Sequence, residues 1–94
     1  MARFIVRVEL YNATSEDYEN LNTHMADFGL GRKIQNANHV LYDLPSAEFY
    51  GESAATREDI LDDAKAAAAK VKPSFAVLVT ESVASAWYNL PPSK

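Results

Sequence analysis

Four of the nine basic residues lie in the first third of the chain, at Arg3, Arg7, Arg32 and Lys33. Cations carried on extended strands contact phosphate oxygens, so this set reads as a phosphate-binding strip, with Arg7, Arg32 and Lys33 as candidate RNA contacts. The competing reading pairs them across strands with Glu9, Asp43 or Glu48. Glu9, Tyr11 and Asn12 close the same first segment, where an acid can hold a metal or orient a water. A cross-strand ion pair is the plainer role for that acid. His24 and His39 are the residue type suited to general-base work, although no spacing ties either to a nucleophile. Glu58, Asp59, Asp62 and Asp63 form two pairs four residues apart, which reads as a solvated helix face rather than a metal site. Tyr42, Phe49, Tyr50, Trp87 and Tyr88 supply rings for base stacking or for packing. No nucleophile elbow is present, and three glycines are too few for a phosphate-cradling loop.

The rest of the composition narrows the class. Ninety-four residues, 48% apolar and 23% charged, fit one small globular domain spanning residues 1–94. With no cysteine, disulfides and thiolate metal sites are excluded. A net charge of −4 means that any nucleic-acid surface has to be a local basic patch. No apolar run approaches a membrane span, and Arg3 and Arg7 interrupt any signal-peptide pattern, so the expected compartment is the cytoplasm. No small-molecule cofactor and no metal are expected.

The elements that must position these residues follow from periodicity. Arg3 to Tyr11 alternates, with Phe4, Val6, Val8 and Leu10 on one face and Arg3, Ile5, Arg7 and Glu9 on the other. Thr14 and Ser15 are candidate caps for a helix over Glu16 to Phe28, stopped by Gly29 and Gly31. Leu30 to Gln35 and His39 to Leu44 make a hairpin around Asn36-Ala37-Asn38. Pro45 interrupts the second strand, which resumes over Glu48 to Tyr50. Gly51 to Ala55 reads as a loop. Thr56 and Asp59 resemble a capping box for a helix over Arg57 to Lys72, with an apolar stripe at Ile60, Ala64, Ala67, Ala68 and Val71. Phe75 to Glu81 is a strand apolar on both faces, and Ala86 to Leu90 is a surplus last strand. The order β-α-β-β-α-β predicts an α+β ferredoxin-like sandwich with an extra C-terminal strand and both helices on one sheet face. The two-sided apolar strand and the surplus strand predict a homodimer held through the sheet. Charge on either strand face, at Val8 or at Leu78, is expected to damage folding.

Several stretches are similar to the small bacterial GhoS family of endoribonuclease antitoxins of type V toxin–antitoxin systems. They are Arg3-Phe4-Ile5-Val6-Arg7-Val8-Glu9-Leu10, Asp17-Tyr18-Glu19, Leu44-Pro45-Ser46-Ala47-Glu48-Phe49, Ser74 through Ser82, and Trp87-Tyr88-Asn89-Leu90-Pro91. The resemblance runs nearly end to end and rests on strand and turn motifs. It implies a ferredoxin-like fold akin to the small CRISPR-associated adaptation nucleases, which form homodimers. It also implies cleavage of a toxin's messenger RNA. Those nucleases end their first strand with a metal-binding aspartate. Here the region reads Glu9-Leu10-Tyr11-Asn12, so the expected cleavage is metal-independent.

Such cleavage needs a base for the ribose 2′-hydroxyl, an acid for the leaving oxygen and a cation for the phosphorane charge. Arg7, Arg32 and Lys33 are placed at the phosphate, Glu9 or His39 as the base, and Tyr11 against a nucleobase. The alternative, favoured by the acidic balance, is a non-catalytic dimeric module that regulates a partner protein.

Overall fold

The computed structural model describes residues 1–93. In chain order it has β1 (Ala2–Leu10), α1 (Ser15–Ala26), β2 (Lys33–Gln35), β3 (Leu41–Asp43), β4 (Glu48–Ser53), α2 (Arg57–Ala69) and β5 (Phe75–Ser82). The described residues form a small α+β fold with two helices and five strands.

β1 is the middle strand of an antiparallel sheet of order β4-β1-β5. Its alternation does what the sequence predicts: Phe4, Val6, Val8 and Leu10 are buried, while Arg3, Arg7 and Glu9 are exposed. The buried row meets Leu21 and Met25 of α1 and Ile60, Ala64, Ala67 and Ala68 of α2, so both helices lie on one face of the sheet. The alanines let α2 sit close to the strands, and apolar area removed from water drives this layer together at ~25 cal/mol per Å².

Both helices begin with a reciprocal capping box. Thr14 Oγ1 accepts from the Asp17 amide at 3.2 Å, and the Asp17 carboxylate accepts from the Thr14 amide at 2.9 Å. Thr56 and Asp59 repeat the pattern at 3.1 and 3.2 Å. Each box satisfies two amides that the first turn leaves without helical partners. The Thr14 amide, together with Lys72, whose Nζ stands 3.3 Å away, holds the Asp17 carboxyl below its ordinary range.

Three boundaries differ from the periodicity. Gly51–Ser53 is strand, not loop, because β4 continues along β1 as far as Ala2↔Ser53. Gly51 pairs with Phe4, and a Cβ there would stand 2.8 Å from Leu30 Cδ2 and 3.0 Å from the Gly29 carbonyl oxygen. Gly51→Ala is therefore expected to lower stability by about 1–3 kcal/mol through overpacking, read as a fall in the urea midpoint. An unchanged midpoint would show that Leu30 moves aside freely. The hairpin of β2 and β3 forms a two-stranded sheet of its own, whose backbone link to β4 is the Gly31↔Tyr50 bridge. The expected four-stranded sheet is thus split at Arg32.

The surplus strand over Ala86 to Leu90 is absent. Asn89 takes a φ of +60°, which breaks extended pairing. The tail instead docks beside β3, where Pro91 O accepts from the Asp43 amide and the Ser93 amide donates to Leu41 O, each at 2.9 Å. Pro92 falls between those two bonds, where the missing proline N–H leaves no ladder bond unmade. β5 also departs from expectation. Phe75, Val77 and Val79 are half-buried against the helices, but Leu78 on the other face is 64% exposed.

Candidate nucleic-acid interface

The helix-free face of the sheet carries the candidate residues of β1. Antiparallel register sets them in rows. Arg3 lies between Glu52 and Ser82, Ile5 between Tyr50 and Thr80, Arg7 between Glu48 and Leu78, and Glu9 beside Ala76.

Arg3 is largely spoken for. Its Nε stands 3.8 Å from Glu52 Oε1, and its guanidinium donates to Val83 O at 3.3 Å. The Tyr50 hydroxyl donates to the same Glu52 oxygen at 3.0 Å. Burial, reinforced by Glu52, pushes that phenol above its ordinary range, so it stays a donor. Arg7 is different. Among the described residues no carboxylate comes within 4.0 Å of its guanidinium, and it makes no hydrogen bond. Arg7 and Glu9, two residues apart on one strand face, sit roughly 7 Å apart along the strand.

The remaining candidates are elsewhere. Arg32 clamps the loop before β4. Its guanidinium donates to Pro45 O at 2.8 Å, to Leu44 O at 2.9 Å and to Glu48 O, and lies 5.6 Å from the centre of the Phe49 ring. Phe49 pairs with Val6 on the helix side of the sheet, opposite to Arg7. Desolvation pulls the Arg32 guanidinium below its ordinary value, while Asp43 and Glu48 push the other way. Lys33 bridges to Asp43 at 3.5 Å and to the Ser93 hydroxyl. The cross-strand pairing with Asp43 weighed in the sequence is therefore present. Arg7, Arg32 and Lys33 do not form one continuous strip.

His39 closes the β2–β3 turn with φ +64°. The turn is built as its asparagines predict, with Asn36 Oδ1 accepting from the Asn38 and Val40 amides at 2.9 and 3.0 Å. The positive φ falls on the histidine rather than on either asparagine. Gln35 Nε2 donates to His39 Nδ1 at 2.8 Å, which leaves the neutral ring's proton on Nε2. Tyr11 is half-exposed beyond the end of β1, its amide bonded to Ser74 O at 3.1 Å.

Two clefts divide these groups. One of about 680 Å³ is lined by Arg3, Gln35, His39, Tyr50, Glu52 and Trp87. Trp87 is steadied there by Tyr42, ring centres 5.6 Å apart. The other, about 380 Å³, is lined by Arg7, Glu9, Tyr18, Ala76 and Leu78. Glu9 and His39 thus belong to different clefts, which open at opposite ends of β1, and Arg3 and Glu9 are separated by roughly 20 Å of strand. The sequence missed the Arg3–Glu52–Tyr50 cluster because Gly51 ended the strand too early. The spacing of Tyr50 and Glu52, two residues apart, was the available signal. Among the described residues no three His, Asp or Glu side chains gather as metal ligands, and no helix is long and apolar enough to cross a membrane. Searches against protein-family models and against curated proteins find no match to this chain.

Proposed function

We propose that this chain is a GhoS-like, RNA-directed antitoxin on a ferredoxin-like sandwich, acting in the cytoplasm as a metal-independent endoribonuclease on a toxin's messenger. The strand and turn motifs shared with that family support the reading. So does the antiparallel sheet with both helices on one face. The observation that carries it is Arg7, whose guanidinium has no carboxylate within 4.0 Å among the described residues, on the helix-free sheet face with Glu9 beside it and Glu48 opposite. In this reading Arg7 holds the scissile phosphate and stabilises the charge of the phosphorane. Glu9 takes the proton of the 2′-hydroxyl, which attacks the adjacent phosphorus to form a 2′,3′-cyclic phosphate and expels the 5′-oxygen of the next nucleotide, which takes up a proton from water. The Tyr11 ring stacks a base near the end of β1. His39 faces the other cleft and takes no part in this step.

Fluorescence anisotropy with a labelled single-stranded RNA tests the contact. Arg7→Ala is expected to weaken binding equally for all sequences and to flatten the plot of log affinity against log salt by about 0.7, the loss of one phosphate contact on a single strand. Glu9→Gln is expected to bind RNA and not cleave it, and cleavage by the native chain is expected to survive a chelator. An unchanged salt slope for Arg7→Ala removes Arg7 from the interface. The exposed Leu78 on the same face favours a second reading, a non-catalytic dimeric module acting on a partner protein. No RNA binding at low salt selects it.

A further inference from the structure

The two outer edges of the β4-β1-β5 sheet are treated differently. β4 is covered: Gly31 and Tyr50 exchange amide–carbonyl bonds at 2.9 and 2.8 Å, and Arg32 occupies Glu48 O. β5 is not. The bond from the Tyr11 amide to Ser74 O continues the β1–β5 ladder and fixes which groups face β1. Alternation then turns the N–H and C=O of Phe75, Val77, Val79 and Glu81 outward. Among the described residues none of these groups has a hydrogen-bond partner. Native edges are ordinarily blunted by lysine, proline or a bulge, and residues 75–80 contain none.

We propose that this edge pairs with itself, antiparallel, in a second copy of the chain, about a two-fold axis through Leu78. Three features select that occupant and that register. An antiparallel pair keeps like faces together, so the sum of paired residue numbers must be even. Centring on Leu78 pairs Val77 with the second copy's Val79, and Phe75 with its Glu81, each through the outward-facing groups. It also sets the two Leu78 side chains against each other at a non-bonded position, where side chains approach most closely. The apolar run from Phe75 to Val79 carries no charge, and the two Glu81 carboxylates sit at opposite ends of the paired strands, so a copy of itself meets no like-charge clash. The result is one six-stranded sheet with closed two-fold symmetry.

The pairing has a consequence for the site. Arg7 stands opposite Leu78 in the β1–β5 register, so the axis places both Arg7 residues on one row of the helix-free face. Three strand spacings separate them, about 14 Å. One copy offers a single cation there with no carboxylate within 4.0 Å among the described residues; two copies offer a pair facing the same way. Only this last step rests on the RNA reading. The dimer stands on the strand edge alone.

Cysteine cross-linking reads the register directly, because the chain has no cysteine of its own. At a non-bonded antiparallel pair the Cα atoms lie ~4.5 Å apart, inside the range a disulfide spans. Leu78→Cys is expected to give a covalent dimer under mild oxidant, and Ala76→Cys, which faces Thr80 of the second copy, is not. Sedimentation of the native chain is expected to show a dimer that dissociates on dilution, and Leu78→Lys a monomer with a native circular dichroism spectrum. A native chain that stays monomeric at submillimolar concentration overturns the proposal. So does a dimer that survives Leu78→Lys, or cross-linking through Ala76→Cys as readily as through Leu78→Cys. RNA binding is measured separately on the same variants. A dimer that ignores RNA keeps this inference and defeats the proposed function, and RNA binding by a strict monomer does the reverse.

Discussion

Val8→Asp is expected to abolish cooperative thermal unfolding. Val8 is 1% exposed, its amide donates to Ala47 O at 3.0 Å, and it faces Val77 across the sheet. Neither cation of β1 stands on that side to receive a carboxylate, since Arg3 and Arg7 point the other way. An unpaired ion there costs several kcal/mol whether it stays charged or takes up a proton at the cost of a raised pKa. Domains of this size hold about 5–15 kcal/mol in total. A flat calorimetric trace and loss of the sheet signal in circular dichroism are the expected results. A native-like transition within a few degrees of the parent would mean that the helix layer is loose enough to admit water. Leu78→Asp is the informative partner. Its strand is as apolar in sequence, but Leu78 is 64% exposed, so the chain is expected to keep its fold. The sequence expects charge at either position to damage folding; burial supports that expectation at Val8 and removes its ground at Leu78.

That contrast shows what periodicity carries. Alternation along β1 identifies its buried face because the strand is covered on one side by helices, and hydrophobicity alternates from residue to residue except at Ile5. The capping box at Thr56 and Asp59, the cap candidate Thr14 and the alanine stripe of α2 were legible for the same reason: each is a local pattern whose partner lies within four residues. β5 defeats the method. Its apolar character is two-sided, and composition does not distinguish a strand buried between layers from one lying at an edge. The tail fails differently. Trp87, Tyr88 and Leu90 have strand composition, but a left-handed Asn89 and two prolines turn the backbone away, and residues 91–93 pair with β3 instead.

The site was half legible. Period two alone placed Arg3, Arg7 and Glu9 on one face, and the register confirms that they share it. It did not say that Arg3 would be neutralised by Glu52 or that Glu9 and His39 would open into separate clefts. Those relations depend on how β4 and the β2–β3 hairpin are set against β1, and no spacing within a single element encodes them.

Arg32 is the sharpest case, and it sets the second large expected effect. In sequence it stands next to Lys33 and reads as half of a basic pair. In the fold its donors go to main-chain carbonyls at residues 44, 45 and 48, acceptors that leave no trace in residue types. The loop it grips turns through Ala47 at φ +64°, an uncommon conformation that needs support from its surroundings. Removing the guanidinium leaves those carbonyls without their donor and uncovers the fully buried Phe49. Arg32→Ala is expected to cost about 2–3 kcal/mol, the range for hydrogen bonds to a charged group. For a domain of this length that lowers the melting temperature by roughly 10 °C or more. Arg32→Lys is expected to restore little of it, because a single ammonium cannot reach three carbonyls set around a planar fork. Lys33→Ala, which loses only an exposed pair with Asp43, is expected to shift stability by less than about 1 kcal/mol. If Arg32→Ala melts with the native chain but loses a unit of salt dependence in RNA binding, the clamp is incidental and Arg32 returns to the phosphate strip. If it melts early and, below its transition, binds RNA with the native salt slope, the positive charge at position 32 serves the fold, and Arg7 is left to meet the phosphate.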